Sequence, residues 1–274
     1  MTDPLETLYD GLGRFTWWRR ALRRAKPGVD LQMRKRLSPA DGGPSSEALE
    51  DWIWTLCWPD TPPRVLDIGC GFGSSAHSAV TRGARSYLGL SSSGVQIRRA
   101  RQAANAAGID DRCSFRKQSY DAPIDGKHDL ALSIEALLHS PDLAHTLANV
   151  ARSLAPGSPV VLVEDMATDA DVSTHPLGAE LIARWSCTRL HTPADYRAAL
   201  AASGFRLERE VDLTARVDLP TADRAVRARR LEQIRPLALW GGAVIDAFLG
   251  GLVMERLYAE GLLTYRCWVA RLSP

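Results

Sequence analysis

The stretch Val65-Leu66-Asp67-Ile68-Gly69-Cys70-Gly71-Phe72-Gly73 constrains this chain more than any other. An apolar run of strand type leads straight into glycines at every second position, with an acidic residue shortly before the first. With no side chains at 69, 71 and 73, backbone and ligand can approach closely, and the acid can accept a donor from that ligand. The spacing is GxGxG, not the GxGxxG of dinucleotide-binding turns. A nucleoside-bearing cofactor is the expected ligand.

The rest of the chain follows a βα rhythm. Strands are expected at 64–68, 86–90, 113–117, 129–134, 159–164, 205–212 and 262–272. Helices are expected at 74–82, 93–107, 141–155 and 193–203, and two more within 220–260. Alternation of this kind implies a parallel sheet with helices on both faces. Residues 1–43 have no strand pattern, Pro39 to Pro44 is a linker-type cluster, and Ser45 or Ser46 caps a helix running to about Trp58. Four segments result: an N-terminal helical cap at 1–58, an α/β core at 59–212, a helical cap insertion at 213–260 and a final core strand at 261–274.

A chain of 274 residues can bury a substantial core. Its net charge of +2, with no visible RNA-binding module, argues against a nucleic-acid partner. Cysteines 57, 70, 113, 187 and 267 are odd in number and form no CxxC pair, and no signal-peptide pattern opens the chain. A reduced, cytoplasmic protein is expected. No apolar run is long enough for a bilayer span, since glycines and Asp246 interrupt the richest stretch, 237–253.

Val65 to Gly73 resembles, residue by residue, the first motif of class I S-adenosylmethionine-dependent methyltransferases. The resemblance is close over about residues 60–165 and looser beyond. It implies a Rossmann-like, seven-stranded, mostly parallel sheet with helical caps. It also implies S-adenosyl-L-methionine as cofactor and S-adenosyl-L-homocysteine as product. By the same resemblance Asp67, Gly69 and Gly71 hold the methionine part, with Cys70 and Gly73 adjacent. After the second strand many such enzymes carry a ribose-binding carboxylate; here the chain reads Gly89-Leu90-Ser91-Ser92-Ser93-Gly94-Val95-Gln96. That segment is similar to a branch containing tocopherol, sterol and sarcosine-type methyltransferases and cyclopropane synthases, and it assigns the ribose to Ser91 and Gln96. Ser92 or Ser93 caps the next helix. The missing carboxylate also argues against NAD. Alignment on Phe115 places the adenine contacts at Ser119 and Tyr120, whereas alignment on the acid selects Asp121.

The fourth strand ends in Ser133-Ile134-Glu135-Ala136-Leu137-Leu138-His139-Ser140-Pro141. Ligands of open parallel sheets sit beyond the strands' carboxyl ends, which puts Glu135 and His139 at the site by topology. The stretch is also similar to the ExxxH segment of the same branch. His139 is expected to be a general base or an acceptor-orienting group, because neutral imidazole near pH 7 can take a proton. Glu135 would orient it, bind the cofactor, or stabilise cationic character on the acceptor. His77, His145, His175 and His191 are weaker candidates, and 165–192 reads as a lid. No metal-ligand set and no GxSxG elbow occur.

Aromatic residues in and around the caps (Phe15, Trp17, Trp18, Trp52, Trp54, Trp58, Trp185, Trp240, Phe248, Tyr258) suit a bulky, largely apolar acceptor, although most can also be cap core. The expected activity is methylation of a small apolar or aromatic metabolite, of the secondary-metabolism kind, at C, N or O. An alternative is a lipid- or isoprenoid-modifying relative that associates weakly with a membrane surface through Arg19, Arg20, Arg23 and Arg24. A catalytically silent scaffold is a third reading, opposed by the intact Asp67 and glycine turn. The oligomeric state stays open.

Overall fold

A computed structural model of the chain describes residues 4–23, 37, 49–218, 224–235 and 242–274. Five strands run parallel to one another: β1 (Arg64–Asp67), β2 (Ser86–Ser91), β3 (Cys113–Lys117), β4 (Leu130–Ile134) and β5 (Pro159–Ala167). β7 (Leu263–Leu272) runs antiparallel between β5 and β6 (Phe205–Asp212). The sheet order is β3-β2-β1-β4-β5-β7-β6. Successive connections leave β1 in one direction and return to β4 in the other, so a crevice opens between the carboxyl ends of these two strands.

Side-chain alternation along the strands builds two cores, one on each face. Val65, Tyr87, Leu130, Leu132 and Val161 belong to one, and Leu66, Leu88, Ala131, Val160 and Leu162 to the other. All nine residues of β5 are buried, as expected of a strand covered on both faces. β5 runs three residues past its expected end because β7 pairs with it through Ala167↔Leu263. The helices of the core are α3 (Ser74–Thr81), α4 (Gly94–Ala106), α5 (Leu143–Ser153) and α7 (Pro193–Ala202). α5 starts at Leu143, later than its pattern suggests, because Asp142 caps it by accepting the His145 N–H at 3.0 Å.

The segments outside the sheet divide in two. α2 (Leu49–Cys57) packs on one sheet face: Leu49, Ile53 and Trp54 are fully buried in that core, and Trp54 Nε1 donates to Ser78 Oγ on α3 at 2.8 Å. α1 (Pro4–Arg23) instead lies against α4 and α9 (Gly242–Ala259), where Leu8 and Leu12 meet Val244 and Ala247. α6 (Pro176–Trp185) packs on α9 and occupies the middle of the expected lid, and α8 (Arg224–Ile234) packs on the other part of α9. The Pro39–Pro44 linker, the Ser45/Ser46 cap, Arg24 and Trp240 lie outside the described residues, as do the side chains of Phe15, Trp17, Trp18, Arg19, Arg20 and Arg23. Among the described residues no helix is long and apolar enough to cross a membrane. The five cysteines are free thiols.

Trp54 tests whether α2 belongs to the core. Replacing it by alanine should lower the unfolding free energy by about 3–5 kcal/mol, read by urea denaturation. A change within about 0.5 kcal/mol, the range of surface substitutions, would remove α2 from the core.

Candidate active site

A cavity of about 510 Å³ lies at the carboxyl ends of the parallel strands. The turns after β1, β2, β3 and β4 form its floor, and α1, the end of α6 and α9 close it from above. One half is lined by Asp67, Gly69, Cys70, Gly71, Ser91, Gln96, Ser119, Tyr120 and Asp121. The other half is lined by Tyr9, Glu135, His139, Asp165, Trp185 and Phe248, with leucines of α1.

The glycine turn divides its tasks. Gly71 has φ +50°, and a Cβ there would meet nothing within 4 Å, so its backbone faces open cavity. Gly73 has φ +78° and caps α3, but it does not line the cavity. A Cβ at Gly73 would come within 2.9 Å of Phe115 and 3.0 Å of Ala100, so this glycine lets α3 and its neighbours pack closely. Asp67 is fixed from two directions: Oδ1 accepts the Gly69 N–H at 3.0 Å and Oδ2 accepts the Tyr87 hydroxyl at 2.5 Å. Tyr87 comes from β2, the neighbouring strand, where its phenol is pushed well up by burial and by the Asp67 charge.

After β2, Ser91 Oγ donates to Gln96 Oε1 at 2.7 Å, so the structure brings the two expected ribose groups together on the cavity wall. The helix cap is Ser93, whose Oγ accepts the Gln96 N–H at 3.1 Å. Ser119, Tyr120 and Asp121 all line the cavity, so both alignments of the adenine site have their residues in place. Tyr120 donates to the Ala136 carbonyl at 3.3 Å, and Asp121 Oδ1 accepts the Thr146 hydroxyl at 2.5 Å.

The exit of β4 is the most constrained part. Glu135 adopts φ +54°, a left-handed conformation that costs a non-glycine residue energy and concentrates at functional sites. Beneath it Glu164, fully buried on β5, accepts the Ser133 hydroxyl at 2.5 Å and the N–H groups of Ala136 and Leu137 at 3.3 and 3.2 Å. Burial pushes Glu164 up to about 8, while its three donors pull the other way. Glu135 Oε1 accepts the Tyr265 hydroxyl at 2.8 Å, and Asp165 Oδ1 accepts the Tyr258 hydroxyl. Composition held a signal for these two acids: Glu164 and Asp165 interrupt an otherwise apolar central strand, where a carboxylate needs partners.

His139 sits on a short 3₁₀ turn, Leu137–His139, and faces the cavity. Its Nε2 lies 2.7 Å from the Tyr9 hydroxyl of α1, and its Nδ1 lies 3.6 Å from Cys187 Sγ, with the Trp185 carbonyl alongside. Enclosure away from bulk water lowers its pKa to about 4, against a weaker opposing pull from that carbonyl. Enclosure thus favours the neutral ring and makes it a weaker base than a solvated imidazole. A proton on Nδ1, toward the Trp185 carbonyl, leaves Nε2 to accept from Tyr9. Of the other histidines, His77 and His175 do not line the cavity; His145 donates to the Asp121 carbonyl, and His191 binds the Ser140 carbonyl.

Four carboxylates line the cavity (Asp67, Asp121, Glu135 and Asp165), and no lysine or arginine does among the described lining residues. The resulting field favours cations and neutral molecules over anions.

Residues 65–157 match the sequence pattern of a methyltransferase domain family. The chain is 32% identical over 165 residues to Methyltransferase phqN of Penicillium fellutanum, covering 57% of this chain and 49% of that protein. It spans about half the length of the curated relatives it matches first. Among solved structures, the [4+2]-cyclase SpnF superposes with a TM-score of 0.75 at 20% identity, covering 98% of this chain and 94% of that one. Geranyl diphosphate C-methyltransferase from Streptomyces coelicolor A3(2), solved with Mg2+, geranyl diphosphate and S-adenosyl-L-homocysteine, superposes with a TM-score of 0.66 at 18% identity, covering 88% and 90%. The turn read at Val65–Gly73 thus opens a methyltransferase domain, on the seven-stranded fold of the S-adenosylmethionine-dependent methyltransferases.

Proposed function

We propose that this protein transfers a methyl group from S-adenosyl-L-methionine to a small, largely apolar, neutral or cationic acceptor. The observation that carries the reading is one cavity that brings together the polar groups of Asp67, Gly71 and the Ser91–Gln96 pair and the apolar side chains of α1, α6 and α9. Bound in the polar half, the cofactor would supply an electrophilic methyl on a cationic sulfonium. Asp67 and the open backbone at Gly71 would hold its methionine part, Ser91 and Gln96 its ribose, and Ser119 with Tyr120, or Asp121, its adenine. The four carboxylates suit a cationic sulfonium and disfavour an anionic acceptor.

Methyl transfer by in-line displacement depends above all on alignment. Leu5, Leu8, Leu12, Trp185 and Phe248 would enclose the acceptor's apolar body. His139 would act by orienting Tyr9 and through it the acceptor, since a ring with a pKa near 4 is too weakly basic to draw a proton from a phenol or alcohol at neutral pH. Glu135, held by Tyr265, would stabilise positive charge that develops on the acceptor.

Calorimetry should detect one S-adenosylhomocysteine per chain. Gly71→Ala, which places a methyl in open cavity, should weaken that binding about tenfold or more. No binding to the wild-type chain would end the methyl-transfer reading.

His139→Ala should retain S-adenosylhomocysteine affinity and lose turnover on any acceptor found by mass-spectrometric screening. Unchanged turnover would remove His139 from the site.

The low basicity of His139 has a pH signature. Its contribution to stability is complete above the unfolded value near 6.5 and is lost as pH falls toward about 4, because the unfolded chain then binds the proton and the folded chain does not. The loss is at most about 3 kcal/mol. NMR should therefore find the His139 ring neutral from pH 8 down to about 5, and a midpoint near 6.5 would contradict the buried geometry.

A further inference from the structure

Two neighbouring residues of α1 tie it to different elements. Tyr9 reaches His139 Nε2 at 2.7 Å on the acceptor side. Asp10 reaches the first turn of α4, where its Oδ1 accepts the Ser93 hydroxyl at 2.5 Å and the Val95 N–H at 3.1 Å. Ser93 caps α4 through the Gln96 N–H, and its own N–H donates to Ser91 Oγ at 3.1 Å. Ser91 Oγ in turn donates to Gln96 Oε1 at 2.7 Å. Asp10 is therefore one residue removed from the Ser91–Gln96 pair.

The docking of α1 is specific. A carboxylate at a helix N-terminus is favoured by the helix dipole, and here it also satisfies an N–H that the helix leaves unpaired. One turn further on, a Cβ at Gly13 would come within 2.7 Å of Val95 Cγ1, so α1 and α4 approach closely only because residue 13 has no side chain. Glu6 adds an ion pair to Lys117 at 2.5 Å. When α1 is docked in this way, Leu5, Leu8, Tyr9 and Leu12 become cavity wall.

We propose that Asp10 is a positioning residue that couples occupancy of the Ser91–Gln96 half to assembly of the acceptor half under Tyr9. The proposal rests on the methyl-transfer reading for the identity of its ligand. A ligand shifts a conformational equilibrium only when it binds one state better. The docked state supplies that difference: a cofactor held by Ser91 and Gln96 orders the turn to which Asp10 binds, and docked α1 closes the wall around it. Linkage makes the effect reciprocal, so cofactor and acceptor raise each other's affinity by the same factor. Cofactor bound first would assemble the acceptor site.

Hydrogen exchange and calorimetry on the full chain test this with S-adenosylhomocysteine as the ligand. In the wild-type protein, saturating ligand should slow amide exchange across residues 4–14 by about fivefold or more. Asp10→Ala should abolish that protection and weaken ligand binding about tenfold, with exchange in β4 and β5 unchanged. Asp10→Asn keeps a side-chain oxygen acceptor and should preserve most of both effects, which loss of packing alone would not explain. Should Asp10→Ala fail to fold, Gly13→Leu, which forces α1 away from Val95, should give the same phenotype. Ligand binding without protection of 4–14 in the wild type, or undiminished protection in Asp10→Ala or Gly13→Leu, would overturn the coupling alone. Absence of ligand binding to the wild type would overturn the methyl-transfer reading, and the coupling with it.

Discussion

The β4 end of the cavity depends on a buried acid that never reaches it. Glu164 sits inside the sheet on β5 and gathers the Ser133 hydroxyl and two backbone N–H groups from the turn that follows β4. Those N–H groups point at β5 only because Glu135 takes a left-handed conformation just before them. The strain at Glu135 and the buried acid at Glu164 thus answer each other. Without Glu164, both N–H groups would lose their partner, and the buried one, at Leu137, would do so at a cost of about 1–3 kcal/mol. Without the turn at Glu135, a carboxylate would lie buried with too few donors. The result is a rigid exit from β4 that presents Glu135 to the cavity and carries the chain on to His139.

Around this fixed point one device recurs. Four polar groups that line the cavity are each held by a tyrosine hydroxyl from another element: Asp67 by Tyr87 of β2, Glu135 by Tyr265 of β7, Asp165 by Tyr258 of α9, and His139 by Tyr9 of α1. Burial and nearby negative charge push all four phenols up, so each stays protonated and remains a donor. Two of these tyrosines stand on the sheet and two on the capping helices. The sheet therefore fixes the floor, while the caps both close the cavity and complete the hydrogen bonding of groups that line it.

Local pattern made much of this legible. Strand-then-glycine at Val65–Gly73 placed the turn, the βα rhythm placed the parallel strands, and Ser91 and Gln96 lie five residues apart across a helix start, so their pairing was a short-range matter. What escaped was contact between distant segments. Gly73 looks like its neighbours in the motif, yet in space it lies against Phe115 and Ala100, a close approach that only folding brings about. α2 carries aromatics like a cap, but Trp54 finds Ser78 and the sheet. The hydrogen-bonding role of the four tyrosines is not visible in sequence, because each is defined by a partner at least 20 residues away.

By itself, then, the sequence determined the groups on offer: a glycine turn behind Asp67, a hydroxyl at Ser91 and an amide at Gln96 where no carboxylate stands, and Glu135 and His139 beyond the fourth strand. These follow from residue type, short spacing and strand order, which do not depend on remote packing. Tertiary structure alone decided how those groups behave. Enclosure under α1 makes His139 a weak base, Tyr9 takes up its free nitrogen, and Asp10 ties the helix that carries Tyr9 to the turn that carries Ser91 and Gln96. Basicity and positioning are properties of surroundings, and those surroundings are assembled from parts of the chain that only folding brings together.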